Sequence, residues 1–149
     1  MILEETTIIQ TTPDRVFEFF LNMSEERYLE WHPDHLAFQW IEGNNLKEGN
    51  VYYFEEKIHG KVNKKKVRYT KVIPNRLIEF APTFWLFRLI LPRMCFEIEE
   101  QGNKSILLRA QVHIRVGPIA KRLNRNEFDA VKKHMEEEGR NLKKWAEAK

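Results

Sequence analysis

From Leu36 to Val116 the sequence reads as strand after strand separated by short turns, and only beyond Gly117-Pro118 does a long helical period begin. This segregation constrains the fold more than any other feature. Strands grouped together and a helix kept to one end give an antiparallel sheet covered on one face, not a βαβ repeat. The segments are Leu36–Glu42, closed by Gly43-Asn44-Asn45; Asn50–His59, closed by Gly60; Lys64–Ile73 and Arg76–Phe80, parted by Pro74-Asn75; and Arg93–Glu100 with Ser105–Val116, a hairpin around Gln101-Gly102-Asn103. A helix follows from Asn126 or Glu127 to Ala148, with the apolar stripe Phe128, Val131, Met135, Leu142 and Trp145.

In front of this run, Glu4–Gln10 reads as one more strand. Thr12-Pro13-Asp14 then starts a short helix, with Thr as cap and Pro at the first helical position; its apolar face is Val16, Phe17, Phe19, Phe20 and Leu21. Ser24, Glu26 and Arg27 start a second short helix running towards Trp31, which Pro33 stops. The order predicts an α+β domain over residues 1–149: strand, two short helices, about six antiparallel strands, and a long C-terminal helix packed across a curved sheet. The space between helix and sheet is either core or cavity.

Composition narrows the function classes. Of 149 residues 42% are hydrophobic and 32% charged, which excludes a disordered chain, and a chain of this length buries about 69% of its unfolded surface. The longest apolar run, Phe84 to Leu91, is interrupted by Arg88 and is far short of the roughly 18 residues a membrane span needs. Met1-Ile2-Leu3-Glu4-Glu5 has neither the basic start nor the apolar stretch of a signal peptide, and the expectation is a soluble, cytoplasmic protein. A single cysteine, Cys95, excludes an internal disulfide framework and reads as a small hydrophobe. The net charge is +3, with 22 acids interleaved among 25 bases. The cluster Lys61, Lys64, Lys65, Lys66 and Arg68 therefore reads as the solvated face of a hairpin, and no nucleic-acid partner is expected.

Few polar residues stand where chemistry could use them. Trp31-His32-Pro33-Asp34-His35 is the densest such motif: two imidazoles three residues apart beside a carboxylate can converge on one metal ion if the backbone turns there, or can lie in an exposed turn. Under strict alternation Tyr52, Phe54, Glu56 and Ile58 share one strand face, which carries Glu56 inward and leaves Glu55 outside with Lys57 and His59. Glu138 falls within the apolar stripe of the last helix, where it must be paired, protonated or bound to a cation unless it reaches water at the helix edge. His134 reads as a flank residue. Alternation puts His113 outside, with Leu108, Ala110 and Val112 inside; only a bulge would turn it in. Trp40, Phe54, Tyr69, Phe84, Trp85, Phe87, Met94 and Met135 supply the aromatic and thioether surface of a packed core or of an apolar ligand pocket. Residues 82–92 are unusually apolar for a connection, as a lid, a contact surface or a segment packed on the last helix would be.

Three segments carry a resemblance: Thr12-Pro13-Asp14-Arg15-Val16-Phe17-Glu18-Phe19-Phe20, Val72-Ile73-Pro74-Asn75-Arg76-Leu77-Ile78-Glu79-Phe80, and His134-Met135-Glu136-Glu137-Glu138-Gly139-Arg140-Asn141-Leu142-Lys143. With the element order, they resemble the START and birch-pollen-allergen superfamily (SRPBCC, polyketide cyclase-like), which has the helix-grip fold. The chain is also similar to the diacetylphloroglucinol and phloretin hydrolase branch. That resemblance implies one zinc ion held by two histidines and two glutamates, and cleavage of a carbon–carbon bond between an acyl group and a phenolic ring. Carried over, the ligands are His35 (with His32 as substitute), Glu56, His113 and Glu138. Glu55, Glu137 or the phenol of Tyr52 would move the proton.

Three functions are carried forward. One is a zinc-dependent hydrolase or cyclase-like enzyme acting on an aromatic or polyketide-like carbonyl compound. Another is a non-catalytic carrier or sensor of a lipid or other hydrophobic metabolite. The third is a nucleic-acid or protein interaction module using the lysine cluster. A hydrophobic or aromatic small molecule is the expected partner in the first two, with no organic cofactor and no integral membrane association, and pairing as a homodimer is left open.

Overall fold

The computed structural model describes residues 1–148. In chain order the elements are β1 (Ile2–Ile9), α1 (Pro13–Leu21), α2 (Glu25–Trp31), β2 (His35–Glu42), β3 (Val51–Ile58), β4 (Lys61–Ile73), β5 (Leu77–Pro82), α3 (Trp85–Ile90), β6 (Arg93–Gly102), β7 (Ser105–His113), α4 (Pro118–Leu123) and α5 (Arg125–Glu147). The seven strands make one antiparallel sheet in the order β1-β7-β6-β5-β4-β3-β2, curved and unclosed. The α+β architecture inferred from the element order is therefore the one observed.

The amphipathic face of α5 lies across the inner side of the sheet, with Met135, Leu142 and Ala146 buried. Gly139 lies against the Thr7 side chain of β1, where a Cβ would collide, so this helix position lets α5 approach the edge strand closely. The core between sheet and helices is filled from both ends of the chain: Ile9, Val16, Phe19, Phe20 and Trp31 meet Ile78, Ile98, Ile106, Leu108 and Leu142. No helix among the described residues is long and apolar enough to cross a membrane.

Two helices appear where the sequence reads as connection. α3 occupies the apolar stretch between β5 and β6, and α4 follows Gly117-Pro118, with Pro at its first turn. β4 begins at Lys61 rather than Lys64, because His59 and Gly60 both take positive φ (54° and 74°) and close a two-residue hairpin turn. β7 ends at His113, since the next two amides leave the ladder: Ile114 N–H donates to Met1 O and Arg115 N–H to Ile90 O.

The segment that delivers the first site residues is held by local chemistry. The Ser24 side chain accepts a hydrogen bond from Arg27 N–H at 3.1 Å, capping α2, whereas Thr12 makes no such bond for α1. Ser24→Ala is expected to cost about 1 kcal/mol, seen as a melting temperature about 2–4 °C lower. An unchanged melting curve would mean that the cap does not support this helix.

Candidate metal centre in an apolar cavity

The C-terminal end of α2 is fastened to α5 by three polar contacts. Trp31 Nε1–H donates to the Glu138 carbonyl at 3.0 Å, and Asn141 Nδ2–H donates to the Trp31 carbonyl at 2.9 Å. His32 is buried; its Nδ1 accepts the Asp34 amide at 2.9 Å, so Nε2 carries the proton and donates to Glu137 Oε1 at 3.0 Å. Hydrogen bonding to His32, partly opposed by burial, lowers the Glu137 pKa.

Immediately after α2, β2 opens with an irregularity between His35 and Ala37. Two residues of regular strand would put His35 and Phe38 on opposite faces. With the extra residue both are buried, and Leu36 is turned out. His35 sits directly opposite Glu56 of β3. Its ring stacks on Tyr28, with centroids 3.9 Å apart and planes 9° from parallel. His35 Nδ1 lies 2.8 Å from the Tyr28 carbonyl, an oxygen that can only accept. Nδ1 therefore bears a proton and Nε2 points into the site, the arrangement in which imidazole serves as a metal ligand.

Four ligand atoms meet there. His35 Nε2 is 2.8 Å from Glu138 Oε2, 3.2 Å from His134 Nε2 and 3.9 Å from Glu56 Oε2. His134 Nε2 is 3.2 Å from Glu138 Oε2 and 3.3 Å from Glu56 Oε2. Four donors about 2.0 Å from one ion at tetrahedral angles are about 3.3 Å from one another, and the observed separations bracket that value. Both histidines are buried, and the two carboxylates are 16% and 13% exposed. Burial disfavours the charged form of His134, but hydrogen bonds and charge from Glu138 and Glu56 outweigh it and raise its pKa to about 10. Burial opposes ionisation of Glu138 as well; the two histidines beside it win, and its pKa is lowered.

Glu56, His134 and Glu138 of the cluster form one wall of a cavity of about 120 Å³, several times the space one water molecule needs. The other walls are Tyr28, Trp31, Tyr52, Phe54, Ile58, Phe80, Met94, Phe96, Val112, Val131 and Met135. Burial, reinforced by nearby Glu56 and Glu138, pushes the phenol pKa values of Tyr28 and Tyr52 far up, so both remain neutral donors. Tyr28 O–H donates to Glu56 Oε2 at 3.4 Å.

No protein-family model matches the sequence, and no curated protein matches it. Solved structures do. Norcoclaurine synthase from Thalictrum flavum, in complex with dopamine and hydroxybenzaldehyde, superposes with a TM-score of 0.77 over 100% of this chain and 88% of its own, at 11% identity. The ZhuI aromatase/cyclase from Streptomyces sp. R1128 gives 0.69 over 99% and 93%, at 16% identity. A START superfamily protein from Mycobacterium smegmatis gives 0.62 over 95% and 98%, also at 16% identity. The chain shares the helix-grip fold of these structures.

Within the helix grip, the residues singled out in the sequence divide sharply. His35, Glu56 and Glu138 lie together, and Tyr52, Phe54, Met94 and Met135 line the cavity. Tyr69 lies one layer further in, packed on Tyr52, and Trp40 packs against Phe38 and Tyr52 at the core. His113 is a correction. β7 runs without a bulge opposite β6, so alternation holds and His113 faces outward, 3.2 Å from both Arg93 and Gln111. Burial and then the Arg93 charge lower its pKa. The fourth group of the cluster is instead His134, one helical turn before Glu138. His32 does not substitute for His35: it packs against His134, with centroids 4.3 Å apart and planes tilted by 39°, and is committed to Glu137. Glu137 is thus behind the cluster and outside the cavity wall. Glu55 is on the outer face, accepting from Tyr53 O–H at 2.7 Å, and cannot serve the cavity. Phe84, Trp85 and Phe87 stand exposed on α3 and do not line it. Cys95 is buried and its thiol is pushed up to about 11, which keeps it protonated.

Proposed function

We propose that the chain is a pocket enzyme of the helix-grip type, in which His35, Glu56, His134 and Glu138 hold one zinc ion and an aromatic or polyketide-like carbonyl compound is hydrolysed beside it. The observation that carries this reading is the convergence of two imidazole nitrogens and two carboxylate oxygens, those of Glu56, His134 and Glu138 in the wall of an apolar cavity. Zinc bound there would supply Lewis acidity: polarisation of a carbonyl and a lowered pKa for a bound water. The remaining work falls to the chain itself. Phe54, Phe80 and Phe96 offer ring faces to an aromatic substrate, and Met94 and Met135 adapt to its outline. Tyr28, protonated at neutral pH and next to Glu56, is placed to donate a hydrogen bond to a carbonyl oxygen at the cluster. The Tyr28 carbonyl holds the His35 tautomer through Nδ1.

The dopamine and hydroxybenzaldehyde held by the norcoclaurine synthase are small aromatic compounds, which supports an aromatic ligand here. A second reading, a carrier without catalysis, is favoured by one observation: His134 in its protonated form already compensates the buried carboxylates without a metal. Acyl-phenol hydrolysis by zinc-loaded protein separates the two. The enzyme reading expects turnover that Tyr28→Phe lowers about 100- to 1,000-fold while zinc stays bound. Tight binding of acyl phenols, indifferent to chelator and without turnover, would establish the carrier.

A further inference from the structure

α3 and α4 differ from the other helices of the fold in burying no residue, and α3 is the more apolar of the two. Phe84, Trp85, Leu86, Phe87, Leu89 and Ile90 are all exposed, Trp85 to 65%. Five of the six residues of α3 are apolar, so no polar face exists for water to cover. α4 repeats the pattern more sparsely: Ile119 and Leu123, four residues apart on one helical side, are 77% and 79% exposed. The last residue of α3 is tied to the segment leading into α4 by Arg115 N–H donating to the Ile90 carbonyl at 2.8 Å. Together α3 and α4 form an exposed apolar surface larger than scattered single residues would make.

The charge around it has one sign. Residues 81–96 and 101–126 contain no Asp or Glu. Arg88, Arg115, Lys121, Arg122 and Arg125 lie in these stretches, and among the described residues none of the five is paired with a carboxylate. Arg93 and Arg109, in the same stretches, are neutralised, Arg93 by Glu79 and Arg109 by Glu4, Glu97 and Glu99. The first acid after α4, Glu127, is engaged by Lys61.

We propose that the α3/α4 surface docks on an anionic lipid bilayer, with the α3 aromatics and Ile119 and Leu123 inserted at the headgroup level and the five bases against the phosphates. An apolar tip in a basic collar is the combination that peripheral membrane segments use. A second copy of the chain fits less well: a two-fold interface sets the same surface against itself and would bring the basic collars together. A structured protein partner fits less well too, because side chains protruding on all sides of a one-and-a-half-turn helix present a knob suited to a fluid medium. Docking this way would bring the cavity end formed by Met94 and Val112, which pair between β6 and β7 just beyond α3, next to the bilayer.

Co-sedimentation of the full chain with vesicles of phosphatidylcholine, with and without phosphatidylserine, tests this. Each basic residue near an anionic surface is worth about five-fold in partitioning, so binding to the serine-lipid vesicles should exceed that to phosphatidylcholine alone at least about ten-fold, and should disappear near 1 M salt, where charges are screened within about 3 Å. Trp85→Ser with Ile119→Ser should lower binding to the anionic vesicles at least about ten-fold, and Lys121→Glu with Arg122→Glu should remove the preference for them. All four side chains are exposed, so unchanged melting curves are expected. Absence of binding at low salt, or binding unaffected by either double variant, would overturn the proposal. So would a concentration-dependent dimer that Trp85→Ser abolishes, since a second copy would then cover the surface.

Discussion

Zinc binding at least about 100-fold weaker in His134→Ala, and unchanged in His113→Ala, is the expected result of a paired titration. Loss of groups that only orient ligands lowers metal affinity about 10- to 100-fold, and His134 is placed as a ligand itself, with Nε2 within 3.3 Å of three other candidate donor atoms. His113 shares none of them; its neighbours are Arg93 and Gln111 on the outer face of the sheet. The comparison is direct because both changes remove one imidazole from the same protein. Loss of zinc in His113→Ala but not in His134→Ala would restore the ligand set implied by the hydrolase resemblance and contradict the geometry.

The metal-free protein should respond to the same position through stability. Removing His134 as His134→Leu leaves Glu56 and Glu138 facing each other, mostly buried, with one imidazolium fewer; breaking a buried charge cluster in this way costs about 3–5 kcal/mol. The pH dependence has a definite sign. His134 has its pKa raised from 6.5 to about 10, so its contribution is complete below pH 6.5 and is lost as pH rises through about 10. Glu138 has its pKa lowered from 4.5, so its contribution is present above pH 4.5 and is lost in acid. The metal-free chain should therefore gain most from the cluster between those limits. Zinc competes with the proton on His134, so its affinity should climb over the alkaline range where metal-free stability falls. Denaturant unfolding of both proteins at several pH values checks this. Equal stability of His134→Leu and the parent at neutral pH would show that the imidazolium does not compensate the carboxylates.

How far the site can be read from the sequence depends on which period governs each residue. Strand pairing is unbroken along β3 and from Ile106 to His113 of β7, and the alternation it imposes places Glu56 inside and His113 outside without further help. The resemblance implied an inward His113, and there the plainer rule describes the molecule. Helical period carries Glu138 onto the buried stripe of α5, and the same period carries His134, four residues earlier, onto that face. Reading His134 as a flank residue overlooks this i,i+4 relation, the one local signal that identifies the fourth group of the cluster. His35 is harder. Its inward direction depends on the irregularity at Leu36, which no residue pattern announces, and Tyr28 enters the site only because α2 packs against β2. Element order and most boundaries follow from turn residues and periodicity. α3 escapes because an apolar stretch exposed on every side contradicts the rule by which helices are recognised.

Metal content of the purified, untagged protein, measured by elemental analysis before and after dialysis against chelator, bears most directly on the central claim. About one zinc per chain, removed by the chelator and restored on adding zinc, is the predicted result. Protein that carries no metal and takes none up at micromolar zinc would contradict it, and would leave His35, Glu56, His134 and Glu138 as a self-compensated charge cluster at the cavity of a carrier.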